Sequence, residues 1–374
     1  MKIPLSKPDL TNKEINAVVS VLKTPNLSLG PKVTEFEDKF AKYIGTKHAV
    51  SVSSGTAGLH LCIKSLEIGA GHKVITTPFS FIASSNCILF EGAKPVFVDI
   101  REDTLNIDEQ AIEQKITKRT KAILPVHVFG YPCEMDKIYR VARKHNLAVI
   151  EDACEAIGAE YKNRKVGALG DCAVFAFYPN KQMTTGEGGM VSTNNRKIFD
   201  LCCSLKNQGR DKGMKWLLHR RLGYNYRLSD INCALGIVQL ERINELLAKR
   251  DRIAGIYNKK LANIEEIILP PRTNSVIKRS YFVYVIRLTD AFTKRKRDSI
   301  IDFLKKNGIR CNSYFPAIHL QPFYVKKFGF KRGDFPVTEK IADRTIALPF
   351  FNNLNEKQIV YIVERLKRAI KGNR

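Results

Sequence analysis

At 374 residues the chain is long enough for one large and one smaller domain, and its 44% hydrophobic and 26% charged residues form a globular composition that excludes a fibrous or disordered protein. The net charge of +25 is spread along the whole sequence, without zinc-finger spacing, a basic zipper or an RNA-binding signature, so we do not expect a nucleic-acid-binding protein. Without an apolar run of membrane-spanning length, a signal peptide or metal-ligand spacing among its nine cysteines, the chain should be a cytoplasmic protein with reduced thiols, no metal and no membrane partner.

The first predicted elements are two helices, a strand and a third helix. Apolar residues recur at helical spacing over 12–22 and 34–44, and 48–52 is a short strand. The strand ends in SSGT (53–56), after which apolar residues again recur at helical spacing. The first amides of such a helix are unpaired and attract an anion, so the turn is a candidate phosphate site. A serine cap without a ligand is the commoner explanation for an isolated SSGT.

Strands and helices then alternate. The pattern predicts strands at 73–77, 95–99, 122–128 and 147–150, with helices at 111–116 and 136–145. Such alternation favours a largely parallel sheet flanked by helices, with ligands at the carboxyl ends of the strands. Phe81 lies just beyond the first of these strands and could stack on a ligand ring, although a phenylalanine there is more often part of the core.

The segment 151–192 contains the most informative pair of residues. The strand at 147–150 ends at two carboxylates, Glu151 and Asp152, and an apolar run at 172–178 leads to Lys181 and a glycine-rich stretch. Taken singly, Asp152 would be a helix cap and Lys181 a solvated loop residue. An acid and a lysine on either side of a flat ligand are what pyridoxal phosphate catalysis needs, because the lysine bonds to the cofactor and the acid keeps its pyridine nitrogen protonated.

The carboxy-terminal half predicts a second domain. A helix at 195–205 is followed by a long helical pattern from Ser229 toward Ile264, which we interpret as a bridge between domains. Beyond two prolines at 270 and 271, the expected elements are strand 281–288, helix 297–306, strand 310–315, and helices 338–345 and 356–370. We therefore expect an α/β fold with a large domain, 1–262, that includes an amino-terminal arm, and a smaller α+β domain, 263–374.

Several long segments resemble the DegT/DnrJ/EryC1/StrS family of pyridoxal-phosphate sugar aminotransferases, which have the aspartate-aminotransferase fold (fold type I). The resemblance covers nearly the whole chain and is carried by SSGTAGLHL, TTPFSFIASSN, EDACEAIGAEY, VGALGDCAVFAFYPNKQMTTGEGGMV and GYNYRLSDINCALGIVQL. It implies that Lys181 bonds to the cofactor and that Asp152 faces the pyridine nitrogen. These are the two catalytic residues that we expect.

The resemblance also implies a set of cofactor-binding residues. Phe81 would stack on the ring, and the phosphate would be held by Gly55, Thr56 and Ala57. Glu155 would lie near the ring hydroxyl, where many members carry glutamine, so one of its oxygens must be protonated or share a proton. Asn225 would reach the phosphate of a neighbouring subunit, which makes a homodimer with shared active sites the expected assembly.

One position departs from the family pattern, and two more belong to a matching segment. Ala176 stands where many members have a phosphate-binding serine, and Tyr314 and His319 match a segment on the substrate side that we assign no role. The activity implied is transfer of the amino group of L-glutamate to a keto sugar of a nucleoside diphosphate, making an amino sugar for surface polysaccharide, lipopolysaccharide or a secondary metabolite. The nucleotide base and the carbon that carries the ketone remain open.

Two alternatives follow from the same residues. A dehydratase branch of the family carries histidine in place of the lysine, so Lys181 argues against it. A basic regulatory or nucleic-acid-binding protein would bind duplex DNA with a steep salt dependence and would carry no cofactor.

Overall fold

Helices and strands alternate along the first half of the computed structural model, which describes residues 1–215 and 217–372. Within these residues the strands are β1 His48–Val52, β2 Lys73–Thr76, β3 Lys94–Phe97, β4 Thr120–Ile123, β5 Ala148–Asp152, β6 Glu160–Tyr161, β7 Arg164–Lys165, β8 Cys172–Ala176, β9 Gly189–Thr193, β10 Ile267–Ile268, β11 Ile277–Lys278, β12 Tyr284–Leu288 and β13 Thr345–Leu348. The α-helices are α1 Asn12–Leu22, α2 Pro31–Ile44, α3 Gly55–Ser65, α4 Ala83–Phe90, α5 Met135–Lys144, α6 Arg196–Lys206, α7 Asp230–Glu241, α8 Ile243–Leu261, α9 Lys294–Lys306, α10 Pro322–Phe328, α11 Pro336–Ala342 and α12 Glu356–Lys371.

The largest sheet has seven strands in the order β1-β9-β8-β5-β4-β2-β3. Its neighbouring strands are parallel except that β9 is antiparallel to both β1 and β8. Side chains alternate between its faces, so Ile150 and Val174 pack in one apolar cluster while Val149 and Phe175 pack in another. The predicted α/β class with a mostly parallel central sheet is confirmed.

Helix α3 packs directly on this sheet, and that packing positions the candidate phosphate site. A Cβ atom on Gly58 would lie 2.7 Å from Cγ1 of Val174, so a larger residue would push the helix away from the strand. Ser54 caps the helix, because its Oγ accepts a hydrogen bond from the amide of Ala57 at 3.1 Å. The amino terminus of α3 is thereby held at the carboxyl ends of β5 and β8.

A second, antiparallel sheet in the order β10-β12-β13 lies in the carboxy-terminal part of the chain. Its apolar cluster draws on α8, α9 and α12, and Ile3 from the amino terminus packs into the same cluster and bridges Ile309. A small sheet, β11-β6-β7, joins the two parts. No helix in the described part of the chain is long and apolar enough to cross a membrane.

The long helix predicted from Ser229 is wrong as a single element. It is divided into α7 and α8 at Arg242, whose side chain donates hydrogen bonds to Glu14 of α1 at 2.6 Å and to Glu245 at 3.0 Å. The contact with Glu14 is long-range and is not visible in the local apolar pattern, which continues through the break.

Two shorter predictions are also wrong. The strand predicted at 310–315 does not form, and within this stretch Asn312 makes an isolated bridge to Ala347 of β13. The helix predicted at 111–116 is reduced to the 3-10 turn Glu113–Lys115. The elements that were not predicted are α4, α10, β6, β7, β9, β10, β11 and β13, and β13 includes the last residue assigned to the helix expected at 338–345.

Candidate active site

A cavity of about 480 Å³ opens at the carboxyl ends of the parallel strands. Its lining includes both residues of the predicted catalytic pair, Asp152 at the end of β5 and Lys181 beyond β8. The turn before α3 and the segment after β2 contribute to the walls, and Phe282 and Tyr314 come from the carboxy-terminal part. Sequence elements from five separate regions therefore meet around one space.

Asp152 is buried and held from within the chain. Its Oδ2 accepts a hydrogen bond from the hydroxyl of Ser84 at 2.8 Å, and its Oδ1 accepts one from the amide of Cys154 at 3.1 Å. Ser84 in turn lies 2.7 Å from the hydroxyl of Ser80. These contacts fix the carboxylate at the cavity wall and leave it with acceptor capacity for a ligand.

Lys181 follows a turn in which its amide donates to the carbonyl of Tyr178 at 2.9 Å. Its Nζ lies 3.9 Å from the centre of the Phe282 ring and 3.7 Å from Oε1 of Glu155. The side chain is 13% exposed, so the amine lies inside the cavity with an aromatic ring on one side.

Glu155 combines a buried position with a second backbone contact. Its Oε2 accepts a hydrogen bond from the amide of Phe129 at 2.9 Å. Burial raises the pKa of the Glu155 carboxyl, and the nearby charge of Lys181 offsets part of that rise. A carboxyl group whose pKa is raised can hold a proton, as the expected contact with a ring hydroxyl requires.

The amino terminus of α3 presents Gly55 and Thr56 to the cavity. A Cβ atom on Gly55 would lie 2.8 Å from Cβ of Ala176 and 2.9 Å from Sγ of Cys154, so glycine is needed for this close approach. Ala57 is not part of the cavity wall, and its amide is already bonded to Ser54. Two of the three residues expected to hold a phosphate are therefore at the cavity.

The remaining predicted residues occupy different places. Phe81 lies at the cavity with 61% of its surface exposed, so its ring face is open to a ligand. Asn225 is exposed and is not part of this protomer's cavity wall. Tyr314 lines the cavity, whereas His319 is fully buried elsewhere and bonds to Glu339 at 2.9 Å.

Sequence reasoning missed several residues of this cavity, among them Ser84, Asn180 and Phe282. Ser84 and Ser80 are four residues apart on either side of the start of α4, and that spacing would have been the only signal. Phe282 is brought to Lys181 by the chain entering β12, and no local pattern marks it. The Oδ1 atom of Asn180 is buried without a hydrogen-bond partner in the described chain.

These residues suit pyridoxal phosphate. The open end of α3 next to Gly55 offers backbone amides for a phosphate, the Lys181 amine can bond to an aldehyde, and Asp152 can face a pyridine nitrogen. Within the described residues no group of three or more His, Cys, Asp or Glu side chains could hold a metal ion.

Comparisons with known proteins agree with this chemistry. The model of the DegT/DnrJ/EryC1/StrS aminotransferase family matches residues 8–367. The chain is 38% identical to GDP-perosamine synthase of Caulobacter vibrioides over 370 residues, which covers 99% of this chain and 98% of the relative. Its structure is similar to the PLP form of Spr1654 from Streptococcus pneumoniae, with a TM-score of 0.95, 30% identity and full coverage of both chains. It is also similar to PseC of Helicobacter pylori, an aminotransferase involved in the biosynthesis of pseudoaminic acid, with a TM-score of 0.94, 30% identity and full coverage of both chains.

Proposed function

Because the chain belongs to the DegT/DnrJ/EryC1/StrS aminotransferase family and is a pyridoxal-phosphate-dependent sugar aminotransferase, we propose that the cavity between Asp152 and Lys181 is its active site. The observation that carries the proposal is that the two side chains share one cavity with the open end of α3. A lysine, a carboxylate and a phosphate-binding helix end are the three contacts that this cofactor needs.

When bound, pyridoxal phosphate supplies an electron-poor ring that accepts the charge left when an amino acid loses its α-proton. Lys181 would hold the cofactor through Nζ, and the same nitrogen, when free, would carry the α-proton. Asp152, fixed by Ser84 and Cys154, would keep a proton on the pyridine nitrogen. Phe282 covers one side of the amine and excludes water from it.

Glu155 shares a proton with the ring hydroxyl in this proposal. Its raised pKa favours the protonated form, and the amide of Phe129 keeps Oε2 occupied as an acceptor. Gly55 and Thr56 bind the phosphate through backbone amides, and Phe81 stacks on the ring. Ala57 contributes by holding the Ser54 cap that orients these amides.

The amino donor is L-glutamate, and the acceptor is a keto sugar of a nucleoside diphosphate. The 38% identity to a GDP-perosamine synthase makes guanosine diphosphate sugars the first acceptors to test. The product serves surface polysaccharide, lipopolysaccharide or secondary metabolite synthesis.

We also propose that two copies build each site. The cavity wall of the described protomer carries one cation, Lys181, against the carboxyl groups of Asp152, Glu155 and Glu187. Glutamate and a nucleoside diphosphate are both anions, so a wall with this charge needs cations and donors from another source. Asn225, exposed on a segment with the 80% exposed Leu222, is the contribution that we assign to the second copy.

Amine transfer from L-glutamate to a panel of nucleotide keto sugars tests the activity. We expect amino-sugar product with at least one acceptor and an absorbance band of bound cofactor in the purified protein. A colourless protein that binds duplex DNA with a steep salt dependence would instead support the regulatory alternative.

Mixing two inactive variants tests the shared site. Lys181→Ala and Asn225→Asp homodimers should each be inactive, whereas subunit exchange makes heterodimers with one intact site, about one quarter of all sites at equal mixing. Mixed samples that stay as inactive as their parents after exchange would reject the contribution of Asn225.

We further propose that the protein acts in the cytoplasm and that 1–262 and 263–374 are its two domains. The seven strands of the large sheet all lie in the first range, and β10, β12 and β13 lie in the second. Residues 373 and 374 lie outside the described residues. Limited proteolysis that cuts near residue 262 and leaves two stable fragments would support this division.

A further inference from the structure

Arg250 of α8 is a buried cation that bonds to the backbone of the cavity lysine. Its Nη2 donates to the carbonyl of Lys181 and its Nη1 to the carbonyl of Phe282, each at 2.9 Å. Phe282 is the residue whose ring lies 3.9 Å from Nζ of Lys181. One guanidinium group therefore joins the backbone of the cavity lysine to the backbone of the residue that covers its amine.

The arrangement is costly for stability. Arg250 is 3% exposed, and its Nε has no hydrogen-bond partner among the described residues. Its Cζ lies 5.5 Å from the centre of the Phe350 ring, and no ion pair of the described residues includes it. Burial lowers the pKa of the guanidinium to about 10, which still leaves it charged at neutral pH. A buried charge without a carboxylate partner lowers the free energy of unfolding. Stabilisation of the fold therefore does not explain why an arginine lies at this position.

The planar fork of arginine suits this contact. Two parallel N–H donors at fixed separation hold two carbonyl oxygens in register, which the single ammonium of a lysine side chain cannot do. Gln182 holds the neighbouring peptide from the other side, because its Nε2 donates to the carbonyl of Glu155 at 2.6 Å and to Ser280 Oγ at 3.1 Å. The backbone that carries Lys181 is thus fixed to the segment leading into β12.

We propose that Arg250 is a positioning residue that sets the reach of the Lys181 amine by fixing the Lys181 and Phe282 backbones to each other. The inference rests on the proposed role of Lys181. A reactive group that must first bond to a ligand and then move a proton gains rate from a fixed anchor, since a displacement of about 1 Å costs about 10²-fold. Helix α8 thereby connects the amine to the carboxy-terminal part of the chain.

Arg297 provides a control. It is also 3% exposed, and its Nη1 donates to the carbonyls of Ala342 and Thr345, each at 3.0 Å, while its Nε pairs with Asp298 at 2.7 Å. Neither Ala342 nor Thr345 lines the cavity. Arg250→Lys and Arg297→Lys therefore both remove a buried guanidinium that holds two backbone carbonyls, but only the first loosens the cavity lysine.

The test is reconstitution of the full-length protein, stripped of cofactor, with pyridoxal phosphate. The half-saturating concentration of pyridoxal phosphate reports binding. The first-order rate at saturation reports formation of the bond to Lys181. We expect Arg250→Lys to lower that rate by at least about tenfold with the half-saturating concentration changed less than about threefold. Arg297→Lys should leave both constants near the wild-type values while lowering Tm to a similar degree.

Equal rates for the two lysine variants would overturn the inference, since the role of Arg250 would then be structural. Failure of Arg250→Lys and Arg250→Gln to fold while Arg297→Lys folds would overturn it as well, because Arg250 would then be needed for the fold itself. A wild-type protein that forms no bond through Lys181 would instead reject the proposed function, so the two failures are distinguishable.

Discussion

Glu151 and Asp152 are consecutive carboxylates at the end of β5, and they have opposite surroundings. The two oxygens of Glu151 accept four hydrogen bonds, from His127 Nε2 at 3.1 Å and from three backbone amides in the loop 167–170 at 2.6 to 2.9 Å. Asp152 accepts two from the chain and faces the cavity. Strand alternation sends the neighbours to opposite faces of the sheet.

The difference separates a structural acid from a ligand-facing one. The amide of Cys133 donates to Nδ1 of His127 at 3.0 Å, so the His127 proton is on Nε2 and points at Glu151. Glu151 thus uses its acceptor positions to hold His127 and the loop 167–170, whereas Asp152 keeps capacity for one more donor. A count of donors from the chain, more than burial, distinguishes the two roles.

The largest expected effect concerns the partner of Asp152 across the cavity. Lys181→Arg keeps the positive charge but cannot bond to the cofactor, so the glutamate half-reaction should fall by at least about 10⁴-fold. The absorbance of the covalently bound cofactor should disappear in the same variant. Single-turnover absorbance measurements check both, and retained turnover would reject Lys181 as the reacting amine.

The second-largest expected effect concerns Asp152, the carboxylate that faces the cavity. Asp152→Asn removes the negative charge that keeps a pyridine nitrogen protonated, so the half-reaction should slow by about 10² to 10³-fold. Its urea midpoint should change little, because the asparagine Oδ1 can still accept from the Cys154 amide and its Nδ2 can donate to the Ser84 hydroxyl, which can also accept. A near-normal rate would mean that another group serves the nitrogen.

The complementary change is Glu151→Gln. Its amide nitrogen would face two N–H donors where a carboxylate oxygen now accepts them, so the free energy of unfolding should fall by about 3 kcal/mol. The rate per folded molecule should stay within about threefold of wild type, because Glu151 does not line the cavity. Urea unfolding and single-turnover rates together decide, and a rate loss without a stability loss would invert the comparison.

The smallest effect is the pH dependence of Glu155. Burial raises the folded pKa of Glu155 above its ordinary value of 4.5, so ionisation costs stability as pH rises from the unfolded pKa through the folded one. Glutamine is neutral throughout and keeps an acceptor for Phe129. In the cofactor-free protein we expect Glu155→Gln to raise Tm relative to wild type by about 2 °C more at pH 8 than at pH 4. A difference that is constant with pH would contradict the raised pKa.

Local patterns predicted the parts of the site that lie next to one another in the sequence. The strand, SSGT turn and helix predicted the end of α3, and the apolar runs predicted that Asp152 and Lys181 lie at strand ends. The roles of Ala57 and Asn225 came from family resemblance alone. Ala57 proves to be bonded to Ser54, and Asn225 stays a prediction about the assembly.

Periodicity failed where long-range contacts outweigh it. The pattern through α7 and α8 is continuous, but the side chain of Arg242 bonds to Glu14, more than 200 residues away in the sequence. The stretch 310–315 has the composition of a strand, yet its contact with β13 is limited to the bridge between Asn312 and Ala347. Both outcomes depend on contacts with residues that are distant in the sequence.

The sequence by itself determined the α/β class and most strands of the central sheet, because a period of two or of 3.6 residues and a turn composition are local properties. Only the tertiary structure decided that Ser84 would hold Asp152, that Phe282 would cover the Lys181 amine and that Arg250 would fix both backbones. Those contacts join residues at least 32 positions apart in the sequence, and no local pattern determines which distant groups meet.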